Sequence, residues 1–349
     1  MIGVLAIDFG GPLHDADLEP FLGRLLTDVL PGPLAVRSWL GPWLARRRVP
    51  EVGPAYKAIG GSPLIAIHRA QVDALRAELG SAAPPIASAM MYTPPEIDDA
   101  LDDLASQGVD EIVVLPFFPH HSFATSGSAS EMVHAAMARR RQPWPLHFAT
   151  AFPDHPGWIT ALVDAIEAAA SQLGGEGPIH LLFSPHGLPT SFVRRHDPYP
   201  DQVRLTCRKV IEASRWSSPW HVGWQSRVGP AAWLTPSTLA QVDAIAAVGA
   251  SRLLVVPVSF LAENFETLHE LDVEVTDHAR AQGIAHVGRS AVPGLHPGVI
   301  RALADRVRAA IAAKGPTCVR CLLPDPPALR KAVACPNCGW RNAPWTRRP

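Results

Sequence analysis

Asp110-Glu-Ile-Val-Val-Leu-Pro116 and Ser251-Arg-Leu-Leu-Val-Val-Pro257 are apolar runs of equal length, each closed by a proline, and they stand 141 positions apart. The same offset relates Pro95 to Pro236, Gly108 to Gly249 and His155-Pro156-Gly157 to His296-Pro297-Gly298. A run with no polar alternation is what a parallel strand covered on both faces requires. Around each run the sequence predicts strands alternating with helices, so the fold class is α/β: two similar Rossmann-like lobes with parallel sheets around a central cleft. Ligands of such sheets lie outside the carboxyl ends of the strands. The first copy places Phe118-Pro-His-His-Ser122 there, and the second places Glu263-Asn-Phe-Glu-Thr-Leu-His-Glu270.

The repeat sets the predicted boundaries: a first lobe over 1–149, a second over 150–295, a helix within 296–314 that packs back on the first lobe, and a tail over 315–349. The interval from Pro12 to Pro116 exceeds that from Pro189 to Pro257 by about 36 residues. The excess falls in 20–60, which holds Phe21, Leu25, Trp39, Leu40, Trp43 and Leu44 and includes Arg46-Arg-Arg48. An apolar segment with a basic end, here 20–48, suits a lip over a flat hydrophobic ligand or a peripheral contact with a membrane surface. Ordinary amphipathic helices folded onto the lobe account for it equally well. Beyond it, Ser62 is expected as N-cap and Pro63 as the first residue of a helix through Glu78. Further helices are expected over 126–140, with Ser126 as cap, and over 264–282. Strand 145–149 is followed directly by strand 179–183 in this reading.

Composition narrows the function classes. The chain has 349 residues, 47% of them hydrophobic, enough for two cores. A formal charge of −1 offers no field for gathering nucleic acid. The opening Met1-Ile-Gly-Val-Leu-Ala-Ile7 reads as a buried strand cut short by Asp8, without a basic leader, and a soluble, cytoplasmic protein is expected.

Two constellations carry chemistry. His186 lies in Phe183-Ser-Pro-His-Gly-Leu-Pro189, after a buried strand and between a proline and a glycine, where a neutral ring can ligate a metal or accept a proton. A lone loop histidine is more often structural, so this turn needs a partner before it means more. That partner is an acid ladder, Glu263, Glu266, Glu270 and Glu274, whose spacing puts four carboxylates on one helical face. The helix dipole explains acids in a first turn but not Glu270 or Glu274. A histidine and a carboxylate suit a borderline divalent ion such as Fe2+, and two ligands leave coordination sites open for an acceptor. On the first lobe His120, His121, Ser122 and Thr125 offer neutral hydrogen-bonding groups for the far wall of a ligand.

The tail is the strongest local metal signal. Cys318-Val-Arg-Cys321 and Cys335-Pro-Asn-Cys338 are two knuckles whose four thiolates can converge on one ion. The spacing suits Zn2+ in a ribbon, a single Fe or a [2Fe–2S] cluster, and does not choose among them.

Taken together the motifs resemble the ferrochelatases, which insert Fe2+ into a porphyrin in haem synthesis. The resemblance covers nearly all of 1–310. It rests on Gly10-Gly-Pro12 with Pro20-Phe-Leu22, Gly60-Gly-Ser-Pro-Leu64, Leu115-Pro-x-x-Pro119 with Ser122 and Ser126-Gly-Ser128, and Phe183-Ser-x-His-Gly-Leu-Pro189 with Asp197-Pro-Tyr-Pro200. It continues in Gln225-Ser-Arg-Val-Gly-Pro230 with Trp233-Leu-x-Pro236, and in Glu266-Thr-Leu-x-Glu-Leu-Asp272. The resemblance implies a porphyrin cleft between two lobes, a hydrophobic lip at 20–48 bearing Trp39 and Trp43, and His186 and Glu266 as the catalytic and metal-site residues, with Glu270 beside them. Porphyrin contacts are expected from Ser122, His121, Trp39 and Trp43. Two departures stand out: many relatives have Asp-His where this chain has Glu263-Asn264, and Gln-Tyr where it has His120-His121. Some ferrochelatases hold a [2Fe–2S] cluster near the C-terminus, but the two-knuckle spacing here differs from the animal pattern.

The motif around Gln225 and Trp233 resembles the Gram-negative and mitochondrial branch, which favours protoporphyrin over coproporphyrin. A chelatase for another tetrapyrrole or metal, such as sirohydrochlorin or cobalt, is the neighbouring reading, and a non-catalytic haem or metal carrier is the one from another class. Turnover separates enzyme from carrier.

Overall fold

The computed structural model describes residues 1–313 apart from positions 31, 142, 228 and 230. The Cys318, Cys321, Cys335 and Cys338 knuckles lie outside the described residues. The first lobe contains β1 (Ile2–Asp8), α1 (Asp15–Val29), α2 (Leu34–Ala58), α3 (Leu64–Leu79), β2 (Ile86–Met90), α4 (Ile97–Ser106), β3 (Glu111–Pro116), α5 (Ser128–Ala138) and β4 (Leu146–Phe148). Then come α6 (Pro156–Gln172), β5 (His180–Phe183), α7 (Thr190–Arg194), α8 (Tyr199–Ser214), β6 (Trp220–Val222), α9 (Thr238–Ala247), β7 (Arg252–Val256), α10 (Thr276–Ala281), β8 (His286–Arg289) and α11 (Pro297–Ala312). Two π-helical segments, Phe123–Gly127 and Glu266–Val275, run into α5 and α10.

Both sheets are four-stranded and parallel, with strand orders β2-β1-β3-β4 and β6-β5-β7-β8. Equivalent strands thus occupy equivalent places, as the repeat requires. Alternation along each strand divides the apolar residues between two layers. Val4, Ala6, Val113 and Leu115 of the first sheet share one buried core with Leu181, Phe183, Leu254 and Val256 of the second. Leu5, Ile7, Ile112 and Val114 face the outer helices of the first lobe, and Leu182, Leu253 and Val255 those of the second. The single inner core is why the runs show no polar face.

What fills the space between the sheets is a pair of crossed helices. Helix α6 lies against β7, β8 and α8, whereas α11 lies against β3, β4 and α3, so each covers the sheet that the chain is entering or has left behind. The two helices also pack on each other. Their amino ends meet at Gly157 and Gly298. A Cβ on Gly157 would stand 2.3 Å from the Gly298 carbonyl oxygen, and one on Gly298 would stand 2.2 Å from that of Gly157. Each His-Pro-Gly turn serves both helices: His155 Nδ1 accepts from Gly157 N at 3.1 Å while Nε2 donates to Asp305 at 3.2 Å. His296 repeats this with Gly298 N at 3.0 Å and Asp164 at 3.0 Å. Trp158 of α6 is fully buried there, a contribution of about 2–3 kcal/mol.

The structure adds α6 and the short α7 to the expected order and moves two caps. Helix α6 was absent from the expected order, although its turn repeats the one that precedes α11. Ser62 does not cap α3: its backbone N donates to Pro12 O at 2.8 Å, and the helix starts after Pro63. Ser122, not Ser126, caps the helix beyond β3, its Oγ accepting from Ala124 N at 3.2 Å, because a wide turn begins five residues before α5. The 20–60 excess is the α1–α2 hairpin, with α2 running ten residues past the expected lip to Ala58. Among the described residues no helix is long and apolar enough to cross a membrane.

Candidate active site

The turn after β5 is held on every side. His186 N donates to Ser259 Oγ at 3.1 Å, the Tyr199 hydroxyl donates to His186 O at 3.0 Å, and Gly187 N donates to Gln225 O at 2.8 Å. Gly187 has to be glycine, since a Cβ would stand 2.4 Å from that same Gln225 oxygen. The partly buried imidazole donates from Nδ1 to Gly187 O at 2.6 Å. Nδ1 therefore carries a proton, and in the neutral ring the lone pair is on Nε2.

Gln225 and Ser226 connect this turn to the acid helix. Gln225 Oε1 accepts from Ser184 Oγ at 2.9 Å and its Nε2 donates to Glu270 at 3.4 Å, while the Ser226 hydroxyl donates to the same carboxyl oxygen. Ser226 does so from φ 61°, the left-handed region, a conformation that costs a serine about 1–3 kcal/mol and is kept where surrounding contacts impose it. Burial first, and then the charge of Glu266, push the Glu270 carboxyl up to about 8; Glu274 adds to this, and the Ser226 and Gln225 bonds oppose it. Near neutrality Glu270 is a protonated acid.

The expected four-acid ladder is corrected. Residues 266–275 form a π-helix, whose wide turn is common at functional sites. Glu263 precedes it and points away, accepting from Arg289 Nη1 at 2.9 Å and Val292 N at 3.1 Å. Glu274 is exposed, 3.3 Å from His269 Nδ1. Glu266 interacts most strongly with Glu270, and Glu274 adds a smaller contribution. Asn264 supports the helix start: it exchanges two 3.0 Å bonds with Thr267, backbone to side chain in each direction.

The first-lobe row after β3 is buried between the lobes instead of lining an open wall. Ser122 Oγ donates to Asp197 at 2.9 Å, joined there by Phe123 N at 2.8 Å, and His121 N donates to Gln202 Oε1 at 2.7 Å. His120 Nε2 meets Thr206 Oγ1 at 2.8 Å, and burial pushes its imidazole down to about 3, so the ring is neutral. Burial also raises the Asp197 carboxyl despite the bonds it accepts. Trp39 and Trp43 lie on α2, their rings stacked at 6.3 Å and 16°, with the Arg47 guanidinium 3.9 Å above Trp43. Trp39 is 68% exposed.

Tyr56 is the residue that sequence reasoning missed. It lies on the last turn of α2, and its ring lies parallel to Phe265 with centroids 4.3 Å apart. Burial, then Glu266 and Glu270, raise its phenol above the ordinary range. Its place is set by a contact between lobes, which no local pattern announces.

Two α/β lobes with parallel sheets, joined across a cleft, define a chelatase-type architecture. The fold is similar to that of SirB from Bacillus subtilis, solved with Fe3+, at a TM-score of 0.55 and 12% identity over 89% of this chain and 96% of that one. The sequence carries the assignment further. The ferrochelatase family profile matches residues 1–311. The chain is 34% identical to the ferrochelatase of Geotalea daltonii over 87% of its length and 96% of that protein, and 33% identical to that of Geotalea uraniireducens over 89% and 98%. The chain belongs to the ferrochelatase family. It is a metal chelatase of the lyase class in haem biosynthesis, with Fe2+ and a porphyrin as substrates.

The raised Glu270 carboxyl has a consequence for stability. A group that binds its proton more tightly when folded contributes stability at low pH and loses it as pH rises from the ordinary carboxylate range through about 8. Glu270→Gln cannot ionise, so its stability relative to wild type should improve by a few kcal/mol between about pH 5 and pH 9. Urea unfolding midpoints across that range measure the gap, and a gap independent of pH would show an ordinary carboxyl.

Proposed function

We propose that this chain inserts Fe2+ into protoporphyrin IX, with His186 accepting a pyrrole proton while Glu266 holds the metal ion and Glu270, once it gives up its proton, joins Glu266 in holding the ion and carrying protons away. The observation that carries this reading is the His186 tautomer: Nδ1 is committed to Gly187 O, which leaves Nε2 as a base in a turn that cannot swing. Insertion of a divalent ion displaces two pyrrole protons; Nε2 of a neutral His186 ring can accept one, and Glu270 can relay a proton outward by releasing the one it already holds. A porphyrin gripped between lobes can be bent out of plane at the expense of binding energy from its macrocycle.

Protoporphyrin is preferred to coproporphyrin on two grounds. One is the Gln225-Ser-Arg-Val-Gly-Pro230 and Trp233-Leu-x-Pro236 pattern. The other is the exposed apolar edge of α2, where Leu34, Val36 and Trp39 suit vinyl groups better than two further carboxylates. The same edge, with Arg46, Arg47 and Arg48 following, favours a peripheral membrane contact. Metal-knuckle spacing in place of paired disulfide cysteines favours a reducing compartment such as the cytoplasm.

Three outcomes are expected. His186→Ala should abolish insertion, read as the metalloporphyrin spectrum under anaerobic conditions, while porphyrin still quenches protein fluorescence; Glu266→Gln should also lose turnover. Wild-type turnover in His186→Ala would remove the central role of the ring. Trp39→Ala combined with Trp43→Ala should raise KM for porphyrin or weaken binding to liposomes, and a variant unchanged in both would return α2 to ordinary packing. We also propose that the tail binds one metal ion, Zn2+ foremost, on the spacing of Cys318, Cys321, Cys335 and Cys338 alone. Native mass spectrometry should find it, and Cys335→Ser with Cys338→Ser should release it; visible charge-transfer bands would instead favour iron, and four free thiols would end the proposal.

A further inference from the structure

The lip helix and the acid helix belong to different lobes, yet one column of rings joins them. Tyr56 lies on the last turn of α2, and its carbonyl accepts from Gly61 N at 3.0 Å. That turn is rigid: Gly61 has φ 85°, and a Cβ there would stand 2.2 Å from Leu13 O. From this base the Tyr56 ring lies parallel to Phe265, with centroids 4.3 Å apart and planes at 21°. Phe265 lies parallel in turn to His269, at 5.1 Å and 12°. Each second-lobe ring immediately precedes a carboxylate, Phe265 before Glu266 and His269 before Glu270.

A π-helix is a weakly specified turn, seldom sustained without outside support. Here 266–275 gains support at its start from Asn264 and Thr267, and along one side from this ring column. The column ends in the first lobe. Placement of Glu266 therefore depends on a residue of the helix that carries Trp39 and Trp43.

We propose that Tyr56 is a positioning residue for metal insertion: through Phe265 it fixes Glu266 against the cleft and ties that placement to helix α2. The role rests on the reading of Glu266 as part of the insertion site. It belongs to the ring, and the hydroxyl is dispensable.

The test is steady-state Fe2+ insertion into protoporphyrin by the full-length chain, with porphyrin affinity measured separately by fluorescence. Tyr56→Leu should lower kcat about tenfold or more, with porphyrin Kd held within about twofold, and Tyr56→Phe should retain near wild-type kcat. Phe265→Leu should match Tyr56→Leu, and the double variant should be no worse than the poorer single one, because both substitutions break the same stack. Additive losses, a loss confined to porphyrin affinity, or a Tyr56→Phe variant as impaired as Tyr56→Leu would each overturn the proposal. If Tyr56→Leu does not fold by circular dichroism, Phe265→Leu against Phe265→Tyr decides: wild-type kcat in the former overturns it, and a loss in the former restored in the latter supports it. A wild-type chain that binds porphyrin without inserting Fe2+ removes the proposed function and this role with it, whereas wild-type turnover with additive losses removes this role alone.

Discussion

The contact between Gly157 and Gly298 governs how the two lobes can stand. Two helices approach there until each would place a Cβ within 2.3 Å of the other's carbonyl oxygen, a separation no side chain tolerates. Because α6 and α11 each cover a sheet, their crossing fixes one sheet relative to the other, and the cleft inherits that geometry. The two histidines reinforce it. Each accepts from its own helix and donates to an aspartate on the other, so the turn that starts one helix also holds its neighbour. Both bonds need a neutral ring with its proton on Nε2, the tautomer opposite to that of His186.

The site built on this frame is asymmetric although the frame is not. At the first-lobe strand end the polar row is spent on the seam, where Asp197 gathers Ser122 and two backbone amides. At the second-lobe strand end Gln225 and Ser226 tie the histidine turn to a carboxyl that burial keeps protonated. In the proposed reaction the second lobe supplies the acids and the base, while the first-lobe row supplies adhesion.

Much of this was legible before any coordinates. The constant offset and the two apolar runs gave the paired parallel sheets, because a strand buried on both faces leaves a signature in composition alone. His186 and the acid ladder stand out as candidates because glycine and proline mark the turn and the acids recur at helical spacing. Glu263 was misplaced for the same reason: spacing cannot say where a helix begins, and Arg289, 26 positions later, draws that carboxylate to β8. The π-helix left no trace, since steps of four suit either winding. Helix α6 was overlooked even though the repeat pointed to it, its turn standing at the same offset as the one before α11. Tyr56 was beyond reach, as its partner lies on the other lobe.

The exchange of covering helices also bears on how the chain is made. During synthesis β1 to β4 emerge first, but the inner face of their sheet is completed by α11, which emerges only after the whole second lobe. Val113 and Leu115 must therefore wait through roughly 180 residues of further synthesis, about 9–36 seconds at 5–20 residues per second. Over that interval the growing chain presents an apolar sheet face to its surroundings, the kind of surface that chaperones hold and that aggregation exploits. The second sheet has no such delay, because α6 precedes β5 and is ready when its strands arrive. The second lobe can thus close early, while the lobe that seals against it is the last to be finished.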